Sequence, residues 1–173
     1  MIRAKKSLGQ NFLTDKNVID KIINLTSIQN EVILEVGPGT GNLTSHILKK
    51  KPKKFYVIEK DNKLASNLND KFKDQLIIIN DDVLKVDETL LFKDTVTVFG
   101  NLPYNISTEI LSKWIVNLKD HFWFNTLILM FQKEVAERIV ADFNTSSYGR
   151  LSILSNWKLN IKKICDIKPE AFY

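Results

Sequence analysis

Hydrophobic periodicity switches repeatedly along this chain between a period of two and a period near 3.6, and no other feature restricts its possible folds as strongly. Short β-branched runs at about 32–36, 54–59, 76–80, 95–100 and 126–131 read as strands. Amphipathic stretches at about 42–50, 62–72, 108–118 and 133–142 read as helices, most of them suited to cross between parallel strands. The alternation predicts an α/β protein with a doubly wound, Rossmann-like fold and a mostly parallel sheet. Ahead of the first strand, the apolar stripe Val18, Ile19, Ile22, Ile23 and Leu25 predicts a leading helix, with Asp15 as its cap. Beyond residue 142, Asn144-Thr145-Ser146-Ser147 reads as a surface loop. Leu151, Leu154 and Trp157 then suit a helix, and 159–167, which includes Cys165, reads as a last strand.

With 173 residues, 44% of them hydrophobic, the chain can build one sizeable core but not two ordinary domains. Its net charge of +5, with lysines clustered at 5–6, 49–51 and 53–54, favours a polyanionic partner. Cys165 is the one cysteine, which excludes an internal disulfide and leaves a zinc site without companion ligands, so no metal is expected. No apolar run approaches the ~20 residues of a membrane span. The segment Met1-Ile2-Arg3-Ala4-Lys5-Lys6 lacks the apolar stretch of a signal peptide, so a soluble, cytoplasmic protein without a membrane partner is expected.

Chemistry-bearing residues gather where the strands end, which is where α/β enzymes keep their sites. The first strand runs into Glu35-Val36-Gly37-Pro38-Gly39-Thr40-Gly41. Glycines at alternate positions allow a sharp turn and keep side chains out from between backbone and ligand. A dinucleotide site would place the third glycine one residue later, so Gly37, Gly39 and Gly41 fit S-adenosylmethionine better than NAD. Glu59 at the second strand end is placed to accept the ribose hydroxyls, and Asp82 at the third to accept from the cofactor's adenine amine. Each acid alone would read as a solvated strand end or a cap; three such features at successive strand ends point together to the cofactor. The fourth strand ends in Asn101-Leu102-Pro103-Tyr104, where an amide oxygen, a backbone carbonyl and a flat ring form a receptor for a planar group bearing an NH2, with adenine as the candidate.

With these motifs the chain resembles the ribosomal RNA adenine N6,N6-dimethyltransferases, the family of the KsgA-type small-subunit enzymes and the Erm resistance enzymes. Lys6-Ser7-Leu8-Gly9-Gln10-Asn11-Phe12-Leu13 is similar to the family's N-terminal motif, in which the positions matching Asn11 and Leu13 contact the cofactor. Met130-Phe131-Gln132-Lys133-Glu134 and Ser147-Tyr148-Gly149-Arg150-Leu151-Ser152 also resemble family signatures. Lys168-Pro169-Glu170-Ala171-Phe172 matches the KsgA type better than the Erm type. The resemblance implies the class I S-adenosylmethionine-dependent methyltransferase fold. It also implies dimethylation of adenine in small-subunit ribosomal RNA, action on free RNA or an assembling subunit, and a monomer. Relatives continue past the position of Tyr173 into a final strand and a small helical domain, so 1–173 reads as a truncated catalytic domain.

The expected chemistry needs no strong base. The Asn101 oxygen and Leu102 carbonyl bind the hydrogens of the adenine nitrogen and aim its lone pair at the methyl group, while Asn101 also borders the cofactor. The base, flipped from its helix, stacks on Tyr104 with Phe172 over its other face. Lys5, Lys6, Lys133, Arg138 and Arg150 are candidates for phosphate contacts, although Lys133 and Arg138 equally suit ion pairs with Glu137 or Glu134. Trp114, Trp123 and Phe124 are assigned to the core or a loop anchor. Competing readings are an Erm-type large-subunit enzyme, a DNA adenine or protein glutamine methyltransferase, and a non-catalytic ribosome assembly factor.

Overall fold

A computed structural model describes residues 9–118 and 121–173. Five parallel strands form one sheet in the order β3-β2-β1-β4-β5: β1 Val32–Val36, β2 Lys54–Ile58, β3 Ile77–Ile79, β4 Val96–Asn101 and β5 Phe124–Met130. Helices α1 Lys16–Ile23, α2 Asn42–Lys49 and α3 Asn62–Phe72 precede β3, and α4 Glu88–Leu91, α5 Ser107–Val116, α6 Lys133–Ile139 and α7 Arg150–Lys158 follow it. This is the expected doubly wound α/β architecture, with all five strands at their expected places. The short α4 has no counterpart in the sequence reading.

Both faces of the sheet are covered, which is why its strands read as nearly continuous apolar runs. Ile33, Phe55, Val57 and Phe99 join α1, α2 and α3 in one core cluster. Their neighbours Leu34, Tyr56, Val96 and Val98 point the other way, into a cluster with Ile110 and Trp114 of α5. Trp114, Trp123 and Phe124 are all buried there, in agreement with their assignment to the core. The leading helix is capped as expected: the Asp15 carboxylate accepts the N–H groups of Asn17 at 2.8 Å and Val18 at 3.1 Å.

The strand expected over 159–167 does not form. Among the described residues this segment pairs with no strand. Its Lys163 ammonium bonds the Asp166 carboxylate at 2.9 Å, a contact between residues three apart that an extended strand would place on opposite faces. Leu159 and Ile161 instead rest on the cluster of Leu111, Ile115, Ile139 and Leu151. Cys165 lies, half-buried, in this irregular stretch and not in a strand. Of the helix-forming pattern 151–157, Trp157 is 64% exposed on α7, so it is a helical residue without being a core one.

The order in which β2 and β3 lie on one side of β1, and β4 and β5 on the other, creates a crevice between the carboxyl ends of β1 and β4. Val36 and Asn101, the last residues of those strands, therefore flank it.

Candidate active site

Gly37 opens the turn after β1 with φ +72°, and a Cβ there would lie 3.0 Å from the Asn101 carbonyl oxygen. The turns after β1 and β4 thus approach each other as closely as only glycine permits. At Gly39, φ +58°, a Cβ would lie 2.7 Å from the Phe12 ring, so the segment 9–13 is laid directly over the glycine turn. Gly41 differs from these two, because its open side meets Phe72 and Leu68 of α3 and serves helix packing.

The resulting cleft is lined by Asn11, Gly37, Gly39, Glu59, Asp82 and Asn101, together with Phe12, Lys60 and Pro103. Five residues named from sequence lie outside this lining. Gly41 and Leu13 belong to the core, and Leu13 holds α2 through its carbonyl, which accepts from the Asn42 amide at 2.9 Å. Leu102 is 1% exposed, so its side chain is core and only its backbone is left for the role expected of it. Tyr104 stands half-buried just beyond Pro103, where partial burial raises its phenol and keeps it neutral.

Phe172 pairs with Leu13 in an antiparallel bridge and rests on the α1–α2 core cluster. The N–H of Phe12 donates to the Tyr173 carbonyl at 3.0 Å, the Tyr173 N–H to the Phe12 carbonyl at 2.8 Å, and the Thr14 N–H to the Ala171 carbonyl at 2.8 Å. The two segments singled out at opposite ends of the chain are thus one local structure beside the cleft. No ring contact joins Phe172 to Tyr104 among the described residues.

Glu59 is 7% exposed. One of its oxygens accepts the Gly39 N–H at 3.2 Å and the other the Asp61 N–H at 2.9 Å. Burial raises its pKa, and these two bonds partly offset the rise. The Lys60 backbone N–H is a third donor to this carboxylate, and of its roughly four lone-pair sites at least one stays open to a further donor. Asp82 is engaged as well: Lys60 bonds it at 2.7 Å and the Leu84 N–H at 3.0 Å, and the Lys60 ammonium is the main reason its pKa is lowered. The amine expected at Asp82 would therefore have to share it with Lys60, a partner that nothing in the sequence indicated.

Asn101 donates from Nδ2 to the Asn11 carbonyl at 2.6 Å. A carbonyl only accepts, so the amide nitrogen must face Asn11, and Oδ1 is left with no partner among the described residues. Lys5 and Lys6 lie outside the described residues. Lys133 is 3.8 Å from Glu137, while Arg138 and Arg150 are exposed at the ends of neighbouring helices. The Ser152 hydroxyl donates to the Arg138 carbonyl at 2.6 Å and accepts the Gly149 N–H at 3.2 Å, locking α7 onto α6. No helix is long and apolar enough to cross a membrane, and no cluster that would hold a metal occurs, among the described residues.

Behind the cleft, Glu35 is buried and accepts the Thr44 hydroxyl at 2.7 Å. Burial pushes its pKa up from the ordinary 4.5 to about 8, against the pull of the Thr44 bond. Between those two pH values the folded protein keeps a proton that the unfolded chain has released, so this stabilisation is full below 4.5 and is lost as pH rises toward 8. Glu35→Gln, which mimics the protonated acid, is expected to raise the melting temperature more at pH 8 than at pH 5. Equal effects at both pH values in thermal melts would remove Glu35 as the titrating group.

The family model described as "Ribosomal RNA adenine dimethylase" matches residues 1–173. A "Ribosomal RNA small subunit methyltransferase A" of Pelagibacter ubique (strain HTCC1062) is 64% identical over 171 residues, which are 99% of this chain and 65% of that relative. The chain thus spans somewhat less than two thirds of that protein's length. A dimethyladenosine transferase from Plasmodium falciparum is similar in structure, with a TM-score of 0.81 at 30% identity over 93% of this chain and 57% of that one. The 23S rRNA methyltransferase ErmE follows with a TM-score of 0.66 at 26% identity, over 84% of this chain and 55% of its own.

Proposed function

This chain belongs to the ribosomal RNA adenine dimethylase family, and from that premise we propose that it transfers methyl groups from S-adenosylmethionine to the exocyclic nitrogen of adenines in small-subunit ribosomal RNA. The observation that carries the reading is the meeting of two turns at the sheet's reversal point. The glycine turn after β1 lies within van der Waals reach of the turn that begins at Asn101. Methyl acceptor and methyl donor would be held on opposite sides of that contact.

The residues present suit the cofactor. Gly37 and Gly39 keep backbone exposed along the cleft, Glu59 places a carboxylate with open acceptor capacity for a ribose hydroxyl, and Asp82 supplies an acceptor at the next strand end. Bound there, the sulfonium supplies an activated methyl and a good leaving group. What the protein supplies is orientation. Oδ1 of Asn101 and the carbonyl of Leu102 accept the two hydrogens of the adenine amine, which favours a pyramidal nitrogen with its lone pair available. Tyr104 offers a ring face for a base removed from its stack, and Phe172, on the strap bound to Leu13, is the candidate for the second face. The small-subunit assignment is favoured over the Erm type by the 64% identity to a small-subunit relative, against 26% to ErmE.

The reading is tested by incubating the protein with methyl-labelled S-adenosylmethionine and small-subunit RNA lacking adenine dimethylation, then identifying the labelled nucleoside. Label in N6,N6-dimethyladenosine is the expected result. Label confined to another nucleoside, or to large-subunit RNA supplied in parallel, would refute it.

A further inference from the structure

From the last residue of α2 to the first of β2, five of the six residues 49–54 are lysine, and all five are exposed. A solvated surface normally mixes signs, because like charges at neighbouring positions repel. Here none of Lys49, Lys50, Lys51, Lys53 and Lys54 has an ionic partner among the described residues. Lys50 alone has a polar one, the neutral Asn24 side-chain oxygen at 3.0 Å.

The repulsion is held in a fixed backbone. The N–H of Lys50 donates to the Ile47 carbonyl and that of Lys51 to the Leu48 carbonyl, closing α2. The neighbouring turn is cross-linked to it: the Asn30 N–H donates to the Lys51 carbonyl at 3.1 Å, and the Lys53 N–H to the Glu31 carbonyl at 2.8 Å. Pro52 stiffens the centre of the run. Beside the lysines lies a shallow recess whose wall carries the neutral polar side chains of Asn24, Thr26, Ser27 and Gln29. Ammonium groups flanked by hydroxyls and amides are the chemistry of a phosphate-backbone contact.

Val32 pairs with Lys54, so this platform stands at the amino ends of β1 and β2, whereas the cleft lies at their carboxyl ends. Five residues of strand, at ~3.3 Å each, put roughly 16 Å of sheet between the two. A nucleotide in the cleft cannot reach the platform, and whatever binds the platform is a different stretch of polyanion.

We propose that the Lys49–Lys54 turn is a second contact to the phosphate backbone of the folded RNA substrate, made to a segment other than the one whose adenine enters the cleft. The inference rests on the RNA methylation reading and extends it: the enzyme selects RNA folded so that two segments reach opposite ends of the sheet.

The test compares wild type with Lys49→Gln/Lys51→Gln/Lys53→Gln, which leaves the Lys50 bond to Asn24 intact. A second triple variant, Lys73→Gln/Lys93→Gln/Lys162→Gln, controls for net charge. Methylation kinetics and salt-dependent binding are measured on folded small-subunit RNA and on a short single strand carrying the target adenine. For the platform variant on folded RNA, the slope of log affinity against log salt is expected to fall by ~3, at about 0.9 for each of the three duplex phosphates that is no longer neutralised. KM for that RNA rises while kcat, cofactor affinity and KM for the short strand stay as in wild type. An unchanged slope and KM, an equal loss on both RNAs, or an equal loss in the control variant would each overturn the proposal while wild-type methylation still stands. A wild type that neither binds nor methylates the folded RNA would remove the function reading and the platform with it.

Discussion

Glu88→Ala is expected to destabilise the fold by about 3 kcal/mol, the low end of what breaking a buried ion pair costs. Glu88 is 3% exposed, and its carboxylate accepts from the Lys113 ammonium at 3.0 and 2.8 Å and from the Trp114 indole at 2.7 Å. Lys113 bonds in addition the carbonyls of Val83, at 2.7 Å, and Val86. Removing the carboxylate leaves a half-buried ammonium neutralised only by carbonyl dipoles, and a buried indole N–H with no acceptor. Those two carbonyls keep the loss from reaching the upper end of the range. For a domain of this size the melting temperature should fall by ~6–12 °C, at about 2–4 °C per kcal/mol.

The same network has a functional side, because Val83 and Leu84 line the cleft directly after Asp82. Lys113 sits on α5, the helix that follows the Asn101 turn, so the network ties the loop that would hold the cofactor's adenine to the element carrying the acceptor site. Cofactor affinity should therefore drop in Glu88→Ala even at a temperature where the variant is fully folded. Glu88→Leu/Lys113→Met, which removes both charges, should recover part of the stability but not the cofactor affinity. Chemical denaturation of the four members of that cycle measures the coupling. A Glu88→Ala loss below about 1 kcal/mol would show that Lys113 is satisfied by carbonyls alone.

Why this network was invisible in the sequence, when the glycine turn was not, follows from the range of the signals. Gly37, Glu59 and Asn101 each stand at the end of a strand that announces itself by its own apolar run, so a local pattern places them at the sheet's carboxyl edge. The Asp15 cap is likewise a matter of three residues. Glu88 meets its partners across 25 and 26 residues, from a helix of four residues too short to show a period. Asn11 meets Asn101 across 90 residues, and Thr14 meets Ala171 across 157. Such contacts depend on how finished elements pack, which no window of sequence contains. The strand expected over 159–167 fails for the complementary reason: apolar residues in a segment show that side chains are covered, not that a neighbouring backbone is available for pairing.

Asn101→Ala is expected to lower kcat for methyl transfer by ~10²–10³, the usual consequence of losing one preorganised polar group aimed at the reacting atom. The orientation of the Asn101 amide is set before any substrate arrives, since its Nδ2 is held by the Asn11 carbonyl at 2.6 Å. That bond prepays the entropy of aiming Oδ1, so an adenine amine in the proposed pose would meet an acceptor already in place. Alanine removes the acceptor and also frees Asn11, which lines the cleft from the overlying segment. Cofactor affinity should therefore fall as well, but far less than turnover, because the Gly37–Gly39 turn, Glu59 and Asp82 are untouched by the change. Single-turnover measurement of the methyl step, beside separate titrations of cofactor and RNA, separates the two effects. Turnover within about threefold of wild type would show that the Leu102 carbonyl alone orients the amine, and a loss confined to cofactor affinity would make Asn101 a strut for the segment over the glycine turn instead of a residue that touches the base.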